Sequence, residues 1–265
     1  MVSSLNETNA ISNQVIKIKI NNILDYFHKL FESEEHSDEI AAKLSSYITQ
    51  RKLDLDMVIN FIQNTTDDIH YTTLLGLFYE HKLKVENNQQ FALQCYQRSA
   101  GFGDVYAQYL LGQCCFYGIG VAKNLHMTYY WYHQAAKSNN SAAQFELGNL
   151  YFDARDYMKA FHLFQQSAIN GFYKSYSMLG LLYRFGGGTA KDEFKEFKCY
   201  LKSANYGNTI DQINLAICYK DVIGTRKSYH EALKWCKIAY KAGREEEKRE
   251  ITRLLRKLFE SYFYF

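Results

Sequence analysis

The stretch of sequence that decides the fold is LGQCCFYGIGVAKNLHMTYYWYHQAAKSNNSAA, residues 111–143. It holds a Leu-Gly pair at its start, the glycine-rich turn Gly118-Ile119-Gly120 and the small pair Ala135-Ala136. These parts recur along the chain at a nearly constant distance. Such a period predicts a solenoid in which each repeat is a pair of helices.

Two series of short motifs share this period. Members of the first, Leu-Gly or Leu-Ala, follow one another at 36, 36, 32 and 36 residues, and small pairs further on recur at 36, 32, 36 and 36 residues. Two independent series with one period are hard to obtain by chance. The first series comprises Leu75-Gly76, Leu111-Gly112, Leu147-Gly148, Leu179-Gly180 and Leu215-Ala216, and the second comprises Ser99-Ala100, Ala135-Ala136, Ser167-Ala168, Ser203-Ala204 and Ala239-Tyr240.

Each repeat is expected to run as helix A, a turn, helix B and a second turn. The small residue of the Leu-Gly pair should let helix B approach closely, because the side chains at a contact set the distance between helix axes. The third repeat shortens its first turn to residues 153–156, which accounts for the 32-residue step. After helix B we expect a left-handed residue, which glycine or asparagine tolerates. These residues are Gly103, Asn139, Gly171, Gly207 and Gly243.

Residues 111–143 resemble a Sel1-like repeat, whose pattern is LGxxYxxGxGVxxDxxxAxxWYxxAAxxGxxxA. The resemblance covers roughly residues 69–243 in five repeats, of which the third is closer to a tetratricopeptide unit. It implies an all-α, right-handed α-solenoid of about five helix pairs. The overall sequence is also similar to the expanded Sel1-like sets of some fungi. The matching residues are Leu111, Gly112, Gly118, Gly120, Val121, Trp131, Tyr132, Ala135, Ala136 and Ala142, whereas Cys115, Asn124, Thr128 and Asn139 depart from the pattern.

The segments outside the repeats have a different character. Residues 1–13 are polar and predicted to be disordered, and residues 14–68 form an N-terminal helical region without the repeat. Residues 69–243 form the solenoid. Residues 244–265 carry an amphipathic helix that we expect to cap the last repeat, while a membrane-surface or partner-binding helix is the alternative. The chain has no proline, which suits a protein that is nearly all helix, while codon bias is the alternative explanation.

Composition argues against several classes of protein. The formal net charge of +3 is too small to argue for nucleic acid as a partner. Apolar runs stay short of the roughly 18 residues of a membrane helix, so membrane insertion is not expected. The start MVSSLNETNA lacks the features of a signal peptide. The six cysteines include no CxxC motif, and we expect a reducing cytoplasmic compartment, with the nucleus as the alternative to it.

Strings that imitate catalytic motifs are explained by the repeat. The glycines of Gly186-Gly187-Gly188 fall in a turn, and no Gly-Lys-Ser/Thr completes a phosphate loop. Cys114 and Cys115 fall at packing positions of helix A. No histidine pair has the spacing of a metal site. We therefore predict no catalytic residues, no metal and no cofactor.

A partner site is predicted on the concave face, which helices A line in the families that the chain resembles. Counting the Leu of the Leu-Gly pair as position seven, positions two, five, nine, twelve and thirteen of helix A point outward. Aromatic residues concentrate there, as they do at binding hot spots. Packing within a tight superhelix is the alternative reading of the same residues. The predicted contact residues are Tyr106, Tyr109, Gln113, Phe116, Tyr117, Phe145, Asn149, Phe152, Arg184 and Phe185.

The leading functional hypothesis is a non-enzymatic adaptor or scaffold that holds a segment of another protein on this face. A second hypothesis is a regulatory module of a kinase-linked signalling system, whose catalytic partner sits on another chain or was lost. A third is an enzyme that uses Cys114 or a histidine.

Overall fold

The computed structural model describes residues 2–32, 37–64, 68–83, 88–243 and 245–263. These residues form fourteen α-helices and no strand, as the all-α prediction requires. The helices are α1 Val2–Glu32, α2 Ser37–Gln50, α3 Leu55–Asn64, α4 Ile69–Glu80, α5 Gln89–Gly101, α6 Val105–Tyr117, α7 Leu125–Lys137, α8 Ser141–Asp153, α9 Tyr157–Ile169, α10 Lys174–Phe185, α11 Glu193–Asn205, α12 Thr209–Asp221, α13 Tyr229–Ala242 and α14 Glu245–Phe263.

The chain divides into two compact units. The N-terminal unit is Met1–Gln144 and the C-terminal unit is Phe145–Phe265, so the boundary falls within α8. Helices α4, α6, α8, α10 and α12 are the A helices of the five repeats, and α5, α7, α9, α11 and α13 are their B helices. The boundary therefore passes through the A helix of the third repeat.

The glycine of each Leu-Gly pair lies beneath an aromatic ring of its own B helix. A Cβ built on Gly76 would lie 2.6 Å from Cε1 of Tyr96, and one on Gly148 would lie 2.7 Å from Cε1 of Phe164. Since real Cβ atoms do not approach so closely, only glycine fits beneath these rings. The ring packing explains why the small residue recurs.

The second glycine of the turn inside a repeat fits against the B helix of the preceding repeat. Gly120 lies over the backbone of Gln89 at the start of α5, and Gly188 lies over that of Tyr157 at the start of α9. Both glycines have a left-handed φ, of 67° and 68° respectively. A side chain at either position would collide with main-chain atoms, which cannot move aside, so these turns tie successive repeats together.

The left-handed residue expected after helix B is present in four repeats. Gly103, Asn139, Gly171 and Gly207 have φ values of 92°, 61°, 95° and 92°. At Gly243 the prediction was wrong, because φ there is −73° and the backbone is extended. The chain passes almost directly into α14 at this point, and its amide donates a hydrogen bond to the Ala239 carbonyl.

The N-terminal helices pack on the first repeats. Helix α1 begins at Val2, so residues 2–13 are helical where the sequence predicts disorder. No glycine or proline interrupts residues 2–13, and a helix whose later turns are held by packing extends at little cost.

Helix α3 is capped by Asp54, whose carboxylate accepts hydrogen bonds from the amides of Asp56 and Met57.

Helix α14 closes the C-terminal unit. Ile251, Leu254 and Leu258 are buried in a cluster that includes Leu215 of α12 and Trp235 of α13. The apolar face of α14 thus covers the last repeat, and the prediction of a capping helix is confirmed.

Candidate functional site

The N-terminal unit contains five of the predicted contact residues, and α1 lies against two of them. His28 of α1 stacks on Tyr106 with ring centroids 4.6 Å apart, and Phe31 meets the edge of Tyr109 at 5.7 Å. Tyr109 is only 2% exposed. The expectation that this residue points into an open groove was wrong, because the positional count did not include a helix packed from outside the repeats.

Gln113 is also buried, at 5% exposure, and its amide donates a hydrogen bond of 2.9 Å to the Tyr109 hydroxyl. Its predicted outward position is therefore corrected as well. Phe116 and Tyr117, one turn further along α6, remain 36% and 53% exposed, with their rings in edge contact at 4.9 Å. Of the five positions in this unit, these two offer accessible aromatic surface.

The C-terminal unit contains the other five. Phe145 is half-buried and packs against Phe164 and Phe172, at centroid distances of 5.6 and 4.9 Å. Its ring serves the packing of the unit. Asn149 is also half-buried, and its amide nitrogen donates to a carboxylate oxygen of Glu146 at 3.3 Å.

Phe152 and Phe185 are brought together by the fold. Their centroids lie 6.4 Å apart, and Tyr157 completes a triangle, at 5.3 Å from Phe152 and 5.6 Å from Phe185. All three contacts are edge-on, which is a favourable geometry for aromatic pairs. We call Phe152, Tyr157 and Phe185 the aromatic cluster. Phe185 keeps 48% of its surface exposed.

Tyr157 is the member of this cluster that the sequence did not indicate. It is the first residue of the B helix α9, whereas the positional count considered only A helices. The signal that could have found it is the shortened turn at residues 153–156, which brings the start of α9 close to the end of α8.

Arg184 directly precedes Phe185 in α10 and is 52% exposed. Its Nε lies 3.9 Å from Oε1 of Glu196, a carboxylate that is only 2% exposed. Burial raises the pKa of Glu196, and the Arg184 guanidinium opposes that shift. Glu196 is the fourth residue of its B helix. The fourth repeat thus has a buried charge where the framework needs a small residue. The other B helices have Ala92, Thr128, Ala160 and Ala232 at this position.

A scan against family models finds the Sel1 repeat at residues 72–101, 105–140, 141–172, 174–208 and 211–243. These five matches cover more than half of the chain. The chain belongs to the Sel1 repeat family. Sel1 repeats generally act as scaffolds for protein–protein interaction and are typically non-catalytic.

Part of this chain is similar in sequence to a curated Sel1-like protein. A putative Sel1-like repeat-containing protein of Acanthamoeba polyphaga mimivirus is 35% identical over 117 residues, which is 44% of this chain and 21% of that protein. The match thus spans about a fifth of that relative's length.

Solved structures show the same fold. The Sel1 repeat protein from Oxalobacter formigenes superposes with a TM-score of 0.73 at 26% identity, over 82% of this chain and 90% of that one. A protective antigen of uropathogenic Escherichia coli with an SLR fold gives a TM-score of 0.66 at 23% identity, over 85% of this chain and 54% of that one. Both confirm a solenoid of helix pairs.

The cysteines of this Sel1 chain are packed side chains. All six are buried and unpaired. Burial raises the pKa of the Cys95 thiol to about 11 and that of Cys199 to about 12, and it raises that of Cys114 further still. Because the thiolate is the nucleophilic form, these groups are poorly reactive at neutral pH.

The described residues contain neither a candidate metal site nor a candidate membrane span. Across the residues that the structure describes, no group of three or more His, Cys, Asp or Glu side chains is arranged to hold a metal ion. In the same part of the chain, none of the helices combines the length and the apolar character that crossing a membrane requires.

Proposed function

We propose that the chain is a non-catalytic adaptor that binds a segment of a partner protein at the aromatic cluster of the C-terminal unit. The observation that carries this proposal is the meeting of Phe152, Tyr157 and Phe185, the last of which directly follows the exposed Arg184 in α10. The sequence pattern also predicts Phe152, Arg184 and Phe185 as contact residues.

The rings form an ordered surface. Each ring of the cluster is supported by the other two, so little side-chain freedom remains to be lost when a partner binds. Gly187 maintains this arrangement, because a Cβ there would collide with the ring of Phe185 and lie 2.7 Å from Leu182. Aromatic and arginine side chains are also enriched among residues that dominate binding energy.

The partner segment has a definable chemistry. An apolar side chain would pack on the exposed part of the Phe185 ring. A carboxylate or carbonyl oxygen of the same segment would accept hydrogen bonds from the Arg184 guanidinium, whose several donors are not exhausted by Glu196 and Tyr200. The ligand is therefore a protein segment with an apolar anchor and an acceptor nearby.

The N-terminal unit offers a smaller surface of the same kind. Phe116 and Tyr117 are exposed there, while α1 packs against Tyr106 and Tyr109. Within residues 69–243, which we take as the binding domain, the aromatic cluster is thus the primary contact and Phe116 with Tyr117 a second one. The six unpaired, buried thiols support a reducing cytoplasmic setting.

Selection from a random peptide library on the purified full chain tests the proposal. Enriched peptides should carry an apolar anchor near an acidic residue. Hydrogen exchange of the complex should show new protection at the C-terminal turn of α10 and the start of α9. Enrichment of peptides that protect other helices instead, with residues 152–158 and 182–188 unchanged, would refute the assignment.

A further inference from the structure

The exposed side of the B helices changes its chemistry along the chain. The sixth residue of each B helix is exposed, as the repeat framework requires, but its identity is not constrained by packing. It changes from neutral or weakly basic residues in the first three repeats to lysine in the last two. In order, these residues are Gln94, Tyr130, His162, Lys198 and Lys234.

Each of the last two B helices has two further lysines, which lie on either side of the sixth residue in α11 and both after it in α13. In both helices the three lysines are spaced three and then four residues apart, so each set lies along one helix face. All six side chains are exposed. We call them the basic face, which consists of Lys195, Lys198 and Lys202 of α11 with Lys234, Lys237 and Lys241 of α13.

The helix dipole accounts for part of this arrangement. Lys202 and Lys241 lie in the last turns of their helices, where a cation is favoured. Lys198 and Lys237 lie further from the helix ends, where the dipole no longer explains the choice of residue. Their charge is therefore available for another role.

Counter-charges are confined to the first turns. Asp192 pairs with Lys195 at 3.3 Å, and Glu231 pairs with Lys234 at the same distance. Among the described residues, none places a carboxylate in ion-pair contact with the remaining four lysines of the basic face. In the described part of the chain, Lys195 and Lys234 are thus the two lysines of the basic face that form ion pairs.

Aromatic contacts orient two of these ammonium groups. Nζ of Lys198 lies 4.2 Å from the centroid of the Phe194 ring, and Nζ of Lys202 donates to the Tyr176 hydroxyl at 3.3 Å. Such contacts restrain long side chains that would otherwise be mobile, and they leave the other ammonium protons directed to solvent.

The two units also differ in overall charge. Residues 145–265 carry 20 basic and 14 acidic side chains, for a net charge of +6, whereas residues 1–144 carry 11 and 14, for −3. The small net charge of the whole chain therefore conceals a basic C-terminal unit.

We propose that the basic face binds an acidic segment of a protein, a stretch rich in Asp and Glu. Lysines three or four residues apart on a helix rise by about 4.5 to 6 Å. Alternate side chains of an extended peptide lie about 7 Å apart, so a row of carboxylates can follow the row of ammonium groups. Four uncompensated lysines, flanked by Asp192 and Glu231, are few for nucleic acid, whose binders commonly make about 6 to 10 phosphate contacts.

The test uses the full chain and a fluorescent peptide of alternating Glu and Ser, with a Gln-Ser peptide as the neutral probe. We expect the acidic peptide to bind and the neutral one not to. The affinity should fall as salt rises from about 50 to about 200 mM, because the contacts are solvent-exposed. The variant Lys198→Glu with Lys237→Glu should bind at least about tenfold more weakly. Lys137→Glu, in the last turn of α7, is the control and should change affinity less than about twofold.

Several outcomes would overturn the proposal. Equal binding of the two peptides, or unchanged affinity in the charge-reversal variant, would show that the basic face is not the site. Tighter binding of an equally charged single-stranded RNA, or of anionic phospholipid vesicles, would assign the face to that ligand instead. If charge reversal unfolds the chain, Lys198→Gln with Lys237→Gln should still weaken peptide binding about threefold. Phe185→Ala should leave this binding intact, which separates the basic face from the aromatic cluster.

Discussion

Gly180 lies directly beneath the ring of Tyr200, so that a Cβ on residue 180 would lie 2.6 Å from Cε1 of the tyrosine. Tyr200 is only 2% exposed. The fifth repeat shows the complementary solution, in which Ala216 replaces the glycine and Cys236 replaces the ring. The size of one residue is thus matched to that of its partner twenty positions later.

Gly180→Ala should destabilise the fold by about 1 to 3 kcal/mol, because the added methyl group overpacks the contact with Tyr200. In a double-mutant cycle with Tyr200→Cys, which reproduces the fifth repeat, we expect a favourable coupling of about 0.5 to 3 kcal/mol. Urea unfolding measures both quantities. Gly101→Ala in α5 is the control, since nothing lies within 4 Å of its Cβ position, and it should be neutral or slightly stabilising. If the changes in unfolding free energy of the two substitutions were strictly additive, the sizes of residues 180 and 200 would not be matched to each other.

Val222→Gly should stabilise the chain by about 1 kcal/mol. Val222 ends α12 with φ 65°, a left-handed conformation that Gly118 and Gly186 adopt at the ends of α6 and α10. A β-branched residue is strained there, and Val222 is half exposed, so little burial is lost. Thermal unfolding checks the result. A lower melting temperature in the glycine variant would show that the valine side chain contributes more than the backbone strain costs.

Acidification from pH 7 towards pH 5 should stabilise the C-terminal unit through Glu196 and Asp211. Burial raises the pKa of each carboxyl in the folded state, so the folded chain binds protons more readily than the unfolded chain. The free energy of unfolding then rises as pH falls through the folded pKa, and this gain is complete below the unfolded pKa of about 4.

The variant Glu196→Gln with Asp211→Asn should lose most of this pH dependence in denaturant unfolding at pH 7 and pH 5. Exposed Glu246→Gln on α14 is the control substitution. A double variant whose pH dependence equals that of the unsubstituted chain would show that other groups determine it.

Tyr109→Ala and Phe116→Ala should have opposite consequences, although sequence alone treats both as contact residues. Loss of the buried Tyr109 ring should cost about 3 to 5 kcal/mol, whereas Phe116→Ala should cost less than about 1 kcal/mol. Chemical unfolding of the two variants provides the comparison. Equal costs would mean that α1 does not cover Tyr109 in solution.

The repeat itself was predictable because its constraints are local. The Leu-Gly pairs, the small pairs of helix B and the turn glycines each report a close approach within one repeat or between neighbours. The ring above Gly180 was not predicted, since the sequence indicated only that the residue must be small. The coverage of Tyr109 by Phe31 could not be foreseen, because a contact between residues 78 positions apart leaves no periodic signal.

The candidate site also contains both residues that the sequence predicts and residues that it does not. The positions on helix A predict Phe152, Arg184 and Phe185 as contact residues. Tyr157 escaped the count because it begins a B helix, and its approach depends on the length of the preceding turn. The lysines of α11 and α13 are not predicted either, because they lie on B helices and the positional rule applies to helix A.

The most direct test of the account is the dissociation constant of a library-selected peptide for the unsubstituted chain and for Phe185→Ala, measured by calorimetry. Phe102→Ala, which removes a 72% exposed ring from the turn after α5, is the control. We predict that Phe185→Ala weakens binding at least about tenfold while Phe102→Ala changes it less than about twofold. Equal affinities for all three proteins, with each of them fully folded, would contradict a binding site at the aromatic cluster.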